Sequence, residues 1–333
     1  MNHAPVAAGR SIKNVAGDCI RGIKNSTIIV ILRQIYKGYI KGGSCLEQFV
    51  NCIAHPSSEG NLVIGDERTA LFDCGMVFCA DETISKVKKA LKNRPLDYIF
   101  ITHTHYDHIG AFPYFKKEWP GVNLVTCETG ATVLLKDTPR RVIREFSEVA
   151  AKLNGVGLRD DYDTSLFCAD IVVAEGEQIK LGGLTVTVVE TPGHTRDTLS
   201  FYIPEEKLLI TSETTCVLLP DGNIYPCYLT GYIDAINSIN KCKAIEHDYL
   251  SLPHIGIVDD ESANGYFARA MAKIIECRDF IVDMHEKKYS EDEMLKLYEQ
   301  KYANEALLPY QPIEAFLANA RATIACTLRD MDS

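Results

Sequence analysis

The chain has 333 residues, 46% of them hydrophobic, enough for one large core plus an appended element. Its net charge is −10 and no stretch holds more than two adjacent basic residues, which argues against a surface that tracks a nucleic-acid backbone. Apolar runs such as residues 28–32 fall far short of the ~20 residues of a membrane span.

Residues 1–26 carry Arg10, Lys13, Arg21 and Lys24 but no signal-peptide apolar core, and read as an arm. The twelve cysteines are scattered, with no Cys-x-x-Cys pair. They read as reduced, mostly buried thiols, and the expected location is the cytoplasm. Cys74 and Cys216 lie near expected site loops, with core packing as the expected role.

In chain order, residues 26–33 and 61–73 read as strands. Asp81 caps a helix whose Ile84, Val87 and Leu91 share one face. Residues 96–101 form a strand that feeds His103-Thr104-His105-Tyr106-Asp107-His108. Pro139 opens a helix with Val142, Phe146, Val149 and Leu153 on one stripe. Strands follow at 171–174, 184–190, 199–203 and 207–211, then a helix at 232–245 with Ile233, Ile236 and Ile239 inward. Alternating strands and helices predict an α/β fold.

From Asp260 onward the strand pattern stops. Phe267, Met271, Ile274 and Ile281 fall at helical spacing, Ser290 and Glu293 form a capping-box signature, and Ile313, Phe316, Leu317, Ala320 and Ile324 mark a last helix. The expected organisation is an arm over 1–26, a catalytic domain over 27–259 and an all-helical extension over 260–333.

The hexapeptide at 103–108 crowds three imidazoles and a carboxylate into one turn, a costly arrangement unless something binds them. Imidazole and carboxylate are preferred ligands of zinc, iron and manganese. His194, Glu213 and His254 each follow an apolar strand too, so one pattern of strand and then ligand residue repeats four times. A bound divalent cation lowers the pKa of its water from ~15.7 towards ~7, making hydroxide available at neutral pH.

The order His-x-His-x-Asp-His, Gly-His, a strand-end carboxylate and a last His resembles the metallo-β-lactamase superfamily. Asp73-Cys74-Gly75 matches its usual Asp-x-Gly turn, and the resemblance spans roughly residues 57–257. It implies the αββα sandwich of that family and a two-metal site. His103, His105 and His194 would hold the first ion, and Asp107, His108 and His254 the second. Asp107 could also orient the bridging hydroxide. Glu213 stands where the family usually has a bridging Asp, and its extra methylene makes it reach further or fold back. The alternative is that Glu213 ligates neither ion and leaves a weaker or single-metal site.

The helical extension resembles the cap of glyoxalase II and quinolone-signal response proteins, with Tyr266 and Phe267 as candidates to line the substrate pocket and core packing as the alternative. The expected function is hydrolysis of a small-molecule ester or thioester, with no nucleic-acid or membrane partner and a homodimer left open. Three rivals stay open: a flavodiiron-like di-iron oxidoreductase, a mono-iron persulfide dioxygenase, and a regulatory metal-binding protein with little turnover. The first family typically has Glu where this chain has His105.

Overall fold

A computed structural model describes residues 48–258, 263–308 and 311–331. The expected arm at 1–26 and strand at 26–33 lie outside these residues.

Two six-stranded sheets face each other. The first runs in the order β1 (Phe49–Asn51), β2 (Asn61–Ile64), β3 (Thr69–Phe72), β4 (Tyr98–Phe100), β5 (Asn123–Cys127) and β6 (Ile171–Val173). Strands β3 to β6 are parallel neighbours, whereas β2 and β3 form an antiparallel hairpin with Asn61 opposite Phe72. Residues 61–73 are therefore two strands, because Gly65-Asp66-Glu67-Arg68 reverses the chain between them.

The second sheet contains β7 (Gln178–Lys180), β8 (Thr185–Glu190), β9 (Leu199–Ile203), β10 (Leu208–Ile210), β13 (Tyr249–Leu252) and β14 (Gly256–Ile257). Only β10 and β13 pair in parallel, and a separate ribbon joins β11 (Val217–Leu218) to β12 (Ile224–Tyr225). Between the sheets lie Phe72, Phe100 and Phe201, whose ring centroids are 5.1–5.3 Å apart. Alternate residues of a pleated strand point to the same face, so these strands deliver their aromatics to one layer.

Helices cover both outer faces. On the first sheet lie α1 (Ala80–Leu91) and α3 (Phe112–Glu118), with Ile84, Val87, Leu91, Phe112 and Phe115 buried. Helix α1 starts at Ala80, so Asp81 sits in its first turn, where its charge favours the helix dipole, and is not the cap. Short α2 (Tyr106–Ile109) takes in the second half of the metal-type hexapeptide, and α4 (Glu128–Leu134) precedes α5 (Asp137–Leu153).

Helix α5 reverses an expectation. Its buried face carries Ile143, Ser147, Ala150 and Ala151, whereas Val142 and Phe146 are each 38% exposed and Val149 and Leu153 more so. Small residues let this helix approach closely, and Gly110 packs against Ser147, so the larger apolar stripe is left outward.

On the second sheet lies α6 (Tyr232–Ala244), with Ala235 and Ile239 buried, while Ile233, expected inward, faces solvent. The helical extension packs onto this layer through α7 (Tyr266–Glu286), α8 (Glu291–Tyr302) and α9 (Ile313–Met331). Helix α8 has the capping box read from the sequence, with Ser290 and Glu293 each bonding the other's backbone. No helix among the described residues is long and apolar enough to cross a membrane.

Candidate metal centre

The loops after β3, β4, β8, β10 and β13 meet at one end of the sandwich. Parallel β3 and β4 place Asp73 beside the 102–108 loop, where Thr102 N–H and Oγ1 donate to the two Asp73 carboxylate oxygens, each at 2.8 Å. One turn of α2 then presents Asp107 and His108 together. His194 lies in the turn between β8 and β9, and its N–H donates to Thr214 Oγ1 at 2.9 Å, tying that turn to the end of β10. Gly193 in this turn has φ +141°, and a Cβ there would lie 2.8 Å from the backbone of Ala235 in α6.

Two groups of side chains result. Nitrogens of His103, His105 and His194 lie within 4.8 Å of one another, as do single donor atoms of Asp107, His108, Glu213 and His254. His105 Nδ1 and His194 Nε2 are 3.0 Å apart. Glu213 spans the groups: Oε1 is 2.6 Å from His108 Nε2 and 3.1 Å from His254 Nε2, while Oε2 is 3.7 Å from His103 Nδ1.

This set fits divalent cations on its own chemistry. The buried His103 Nε2 and Glu213 Oε2 have no hydrogen-bond partner. Buried polar atoms are normally paired, so such a cluster suits a positive centre. Neighbouring groups also fix which nitrogen each imidazole offers. His108 Nδ1 donates to Asp73 Oδ2 at 2.9 Å and His194 Nδ1 to the Cys227 carbonyl at 2.9 Å, so both rings turn Nε2 into the cluster.

Protonation agrees. Burial, with His108 alongside, holds His103 well below the usual imidazole value, and burial with His105 brings His194 down to about 4. Both therefore keep the neutral form a metal needs. Burial pushes Glu213 up, but His108 and His103 outweigh it and hold the carboxyl well below its ordinary value.

Three residues here were not singled out in the sequence. Glu59 is buried, accepts from Asn61 Nδ2 at 3.1 Å and takes the backbone N–H of His254. Burial raises its carboxyl to about 8. His254 sits at φ +63°, an uncommon conformation for a non-glycine residue, and this contact holds it there. Buried Asp197 accepts from the Thr104 N–H at 2.9 Å and steadies the hexapeptide. Cys227 lines the cavity described next. No sequence signal marks these three, since each acts through a contact far along the chain.

A cavity of about 290 Å³ opens over the cluster, and His105, Asp107, His194, Glu213 and His254 reach into it. Its other walls come from α5, the β11–β12 ribbon, Leu307, Gln311 and the first half of α9. The helical extension thus borders the site, but the expected contribution of Tyr266 and Phe267 is corrected. Tyr266 is fully buried with its hydroxyl donating to the Cys216 carbonyl at 2.9 Å, and Phe267 packs edge-on against His247; neither lines this cavity. Helix α7 turns that end towards α6 and the second sheet, which leaves the cavity wall to α9. Cys74 and Cys216 are buried, donating to the His108 and Ala270 carbonyls.

The sequence profile of the Metallo-beta-lactamase superfamily matches residues 61–254, a span running from β2 to the last ligand-type histidine. The chain belongs to this superfamily. It is 27% identical to a nitric oxide reductase of Moorella thermoacetica over 152 residues, 45% of this chain and 32% of that protein. It is 26% identical to a hydroxyacylglutathione hydrolase of Bartonella tribocorum over 201 residues, 58% of this chain and 61% of that one. The matches thus span from about a third to three fifths of these relatives' own length. Among solved structures, a metallo-beta-lactamase family protein of Thermus thermophilus superimposes with TM-score 0.52 at 19% identity, covering 86% of this chain and 93% of that one. An archaeal superfamily protein of Sulfolobus tokodaii gives TM-score 0.50 at 21% identity, covering 66% and 82%. At these identities the likeness concerns the fold.

Proposed function

We propose that the protein is a metal-dependent hydrolase that cleaves a small-molecule ester or thioester with two divalent ions. His103, His105 and His194 would hold one ion, Asp107, His108 and His254 the other, and Glu213 would serve both. When bound, such ions supply an activated water and polarise the acyl oxygen, so no serine or cysteine nucleophile is required. The protein's own groups do the rest. Asp73 and the Cys227 carbonyl orient His108 and His194. Asp107, whose side chain is 21% exposed, reaches the cavity and is placed to accept a hydrogen bond from the attacking water. The apolar walls hold the substrate and exclude bulk water.

The observation that carries this reading is the placing of Glu213, whose two oxygens face the two groups of ligand-type residues. The similarity to a hydroxyacylglutathione hydrolase supports hydrolysis as the reaction class. The test is a panel of acyl thioesters, lactones and phosphodiesters with chelated and zinc-, iron- or manganese-reloaded protein. Metal-dependent cleavage of an acyl substrate is expected. No cleavage on any class, or consumption of oxygen or nitric oxide instead, overturns the proposal.

A further inference from the structure

The walls of the cavity above the ligand cluster are mostly apolar, with the uncharged Thr104, Gln311 and Asn319 among them. On one side α5 and the residues leading into it present Val133, Pro139, Val142 and Phe146, and on the other α9 presents Ala315 and Ala318. No lysine or arginine lines this cavity among the described residues. Substrates that carry carboxylates or phosphates on the part outside the metals would find no cationic side chain to meet them.

Val142 and Phe146 are each 38% exposed, an unusual state for such residues on a helix flanking a site. The Phe146 ring stacks on Tyr106 with centroids 5.3 Å apart, and Tyr106 adjoins Asp107. An aromatic pair therefore runs directly from beside a ligand-type residue onto the exposed stripe of α5. Apolar surface continuous with a reaction centre is the signature of a pocket that recognises a hydrocarbon.

We propose that the cavity takes an acyl substrate with an uncharged hydrocarbon chain, held between Val142 and Phe146 of α5 and Ala315 and Ala318 of α9. This deepens the hydrolase reading and rests on it for the position of the acyl carbonyl. The small alanines leave the width of the chain open, while Val142 and Phe146 supply the contact. Each methylene moved out of water should then strengthen binding about fourfold until the groove is filled.

The test is calorimetric binding of straight-chain 2-alkanones of increasing length to the metal-loaded protein, with hydrolysis of the matching acyl thioesters measured alongside. These ketones carry no charge and cannot be hydrolysed. Affinity should rise about fourfold per carbon and then level off. Val142→Asp should abolish the dependence on length, and Ala318→Phe should make it level off at a shorter chain. Leu153→Asp, about three turns further along the same helix and outside the cavity, should leave both series unchanged. Affinity that does not depend on chain length in the native protein overturns this inference and leaves the hydrolase reading intact. Length-dependent binding without hydrolysis of any thioester overturns the hydrolase reading and leaves the groove. Unchanged length dependence in both cavity variants overturns the placement.

Discussion

Asp73 accepts a hydrogen bond from His108 Nδ1 at 2.9 Å, and this contact decides that Nε2 of His108 faces the metal-type cluster. The same carboxylate also takes the Thr102 N–H and hydroxyl. Three donors thus converge on two oxygens, a demand an amide cannot meet because its NH2 would oppose a donor.

Asp73→Asn should therefore weaken metal binding by roughly 10- to 100-fold, the usual effect of losing a group that orients a ligand histidine. A chelator-competition titration measures it. Unaltered affinity would show that His108 is held by other contacts.

Glu213→Gln should lose at least one metal equivalent and most of the hydrolysis, since a neutral amide is a poor shared ligand. Glu213→Asp should keep metal and part of the turnover, because it retains the charge with a shorter reach. Full occupancy by two ions in the Gln variant, by elemental analysis, would mean that Glu213 ligates neither.

Tyr266→Ala and Phe267→Ala should each cost about 3–5 kcal/mol of stability, as expected for emptying the space of a buried aromatic. Tyr266→Phe should cost about 1 kcal/mol, the worth of its bond to the Cys216 carbonyl. Urea denaturation gives these values. Kinetics of the surviving folded protein should match those of the unsubstituted protein; a selective loss of kcat/KM would return these residues to the pocket.

His55 gives a pH dependence away from the cluster. Burial, only partly opposed by Glu82, lowers its imidazole from 6.5 to about 4. Its Nδ1 accepts from the Ser57 N–H at 3.2 Å, which requires the neutral ring. The native pKa is the lower one, so stability is fully present above about 6.5 and is lost as pH falls towards 4, where the unfolded chain takes up a proton first. The loss attributable to His55 should stay below about 3 kcal/mol. Native and His55→Asn proteins, compared by urea denaturation from pH 4 to 8, should differ by an amount that changes only across this window. A constant difference would contradict the assignment.

The ligand-type residues were legible because each stands in a turn after an apolar strand, and strand ends on one edge of a sheet converge whatever the connections between them. His194, Glu213 and His254 are far apart in sequence, yet β8, β10 and β13 deliver them to one place. Glu59 was not legible, because it acts on the backbone of His254, 195 residues away. The α5 stripe misled for a different reason. Periodicity shows that Val142, Phe146, Val149 and Leu153 share a face, but not which face is buried. Close packing of Ser147 and Ala151 decided that, and Val142 and Phe146 were left to border the cavity. Tyr266 and Phe267 follow closely after His254 in the chain, but helix α7 points them into the core.

The central claim is that two groups of ligands, joined by Glu213, hold two divalent ions. Elemental analysis of protein purified without added metal, alongside His194→Ala and His254→Ala variants, tests it most directly. The account predicts two equivalents of zinc, iron or manganese per chain in the native protein and loss of at least one in each variant. A single equivalent in the native protein, untouched by one of the two substitutions, would contradict it.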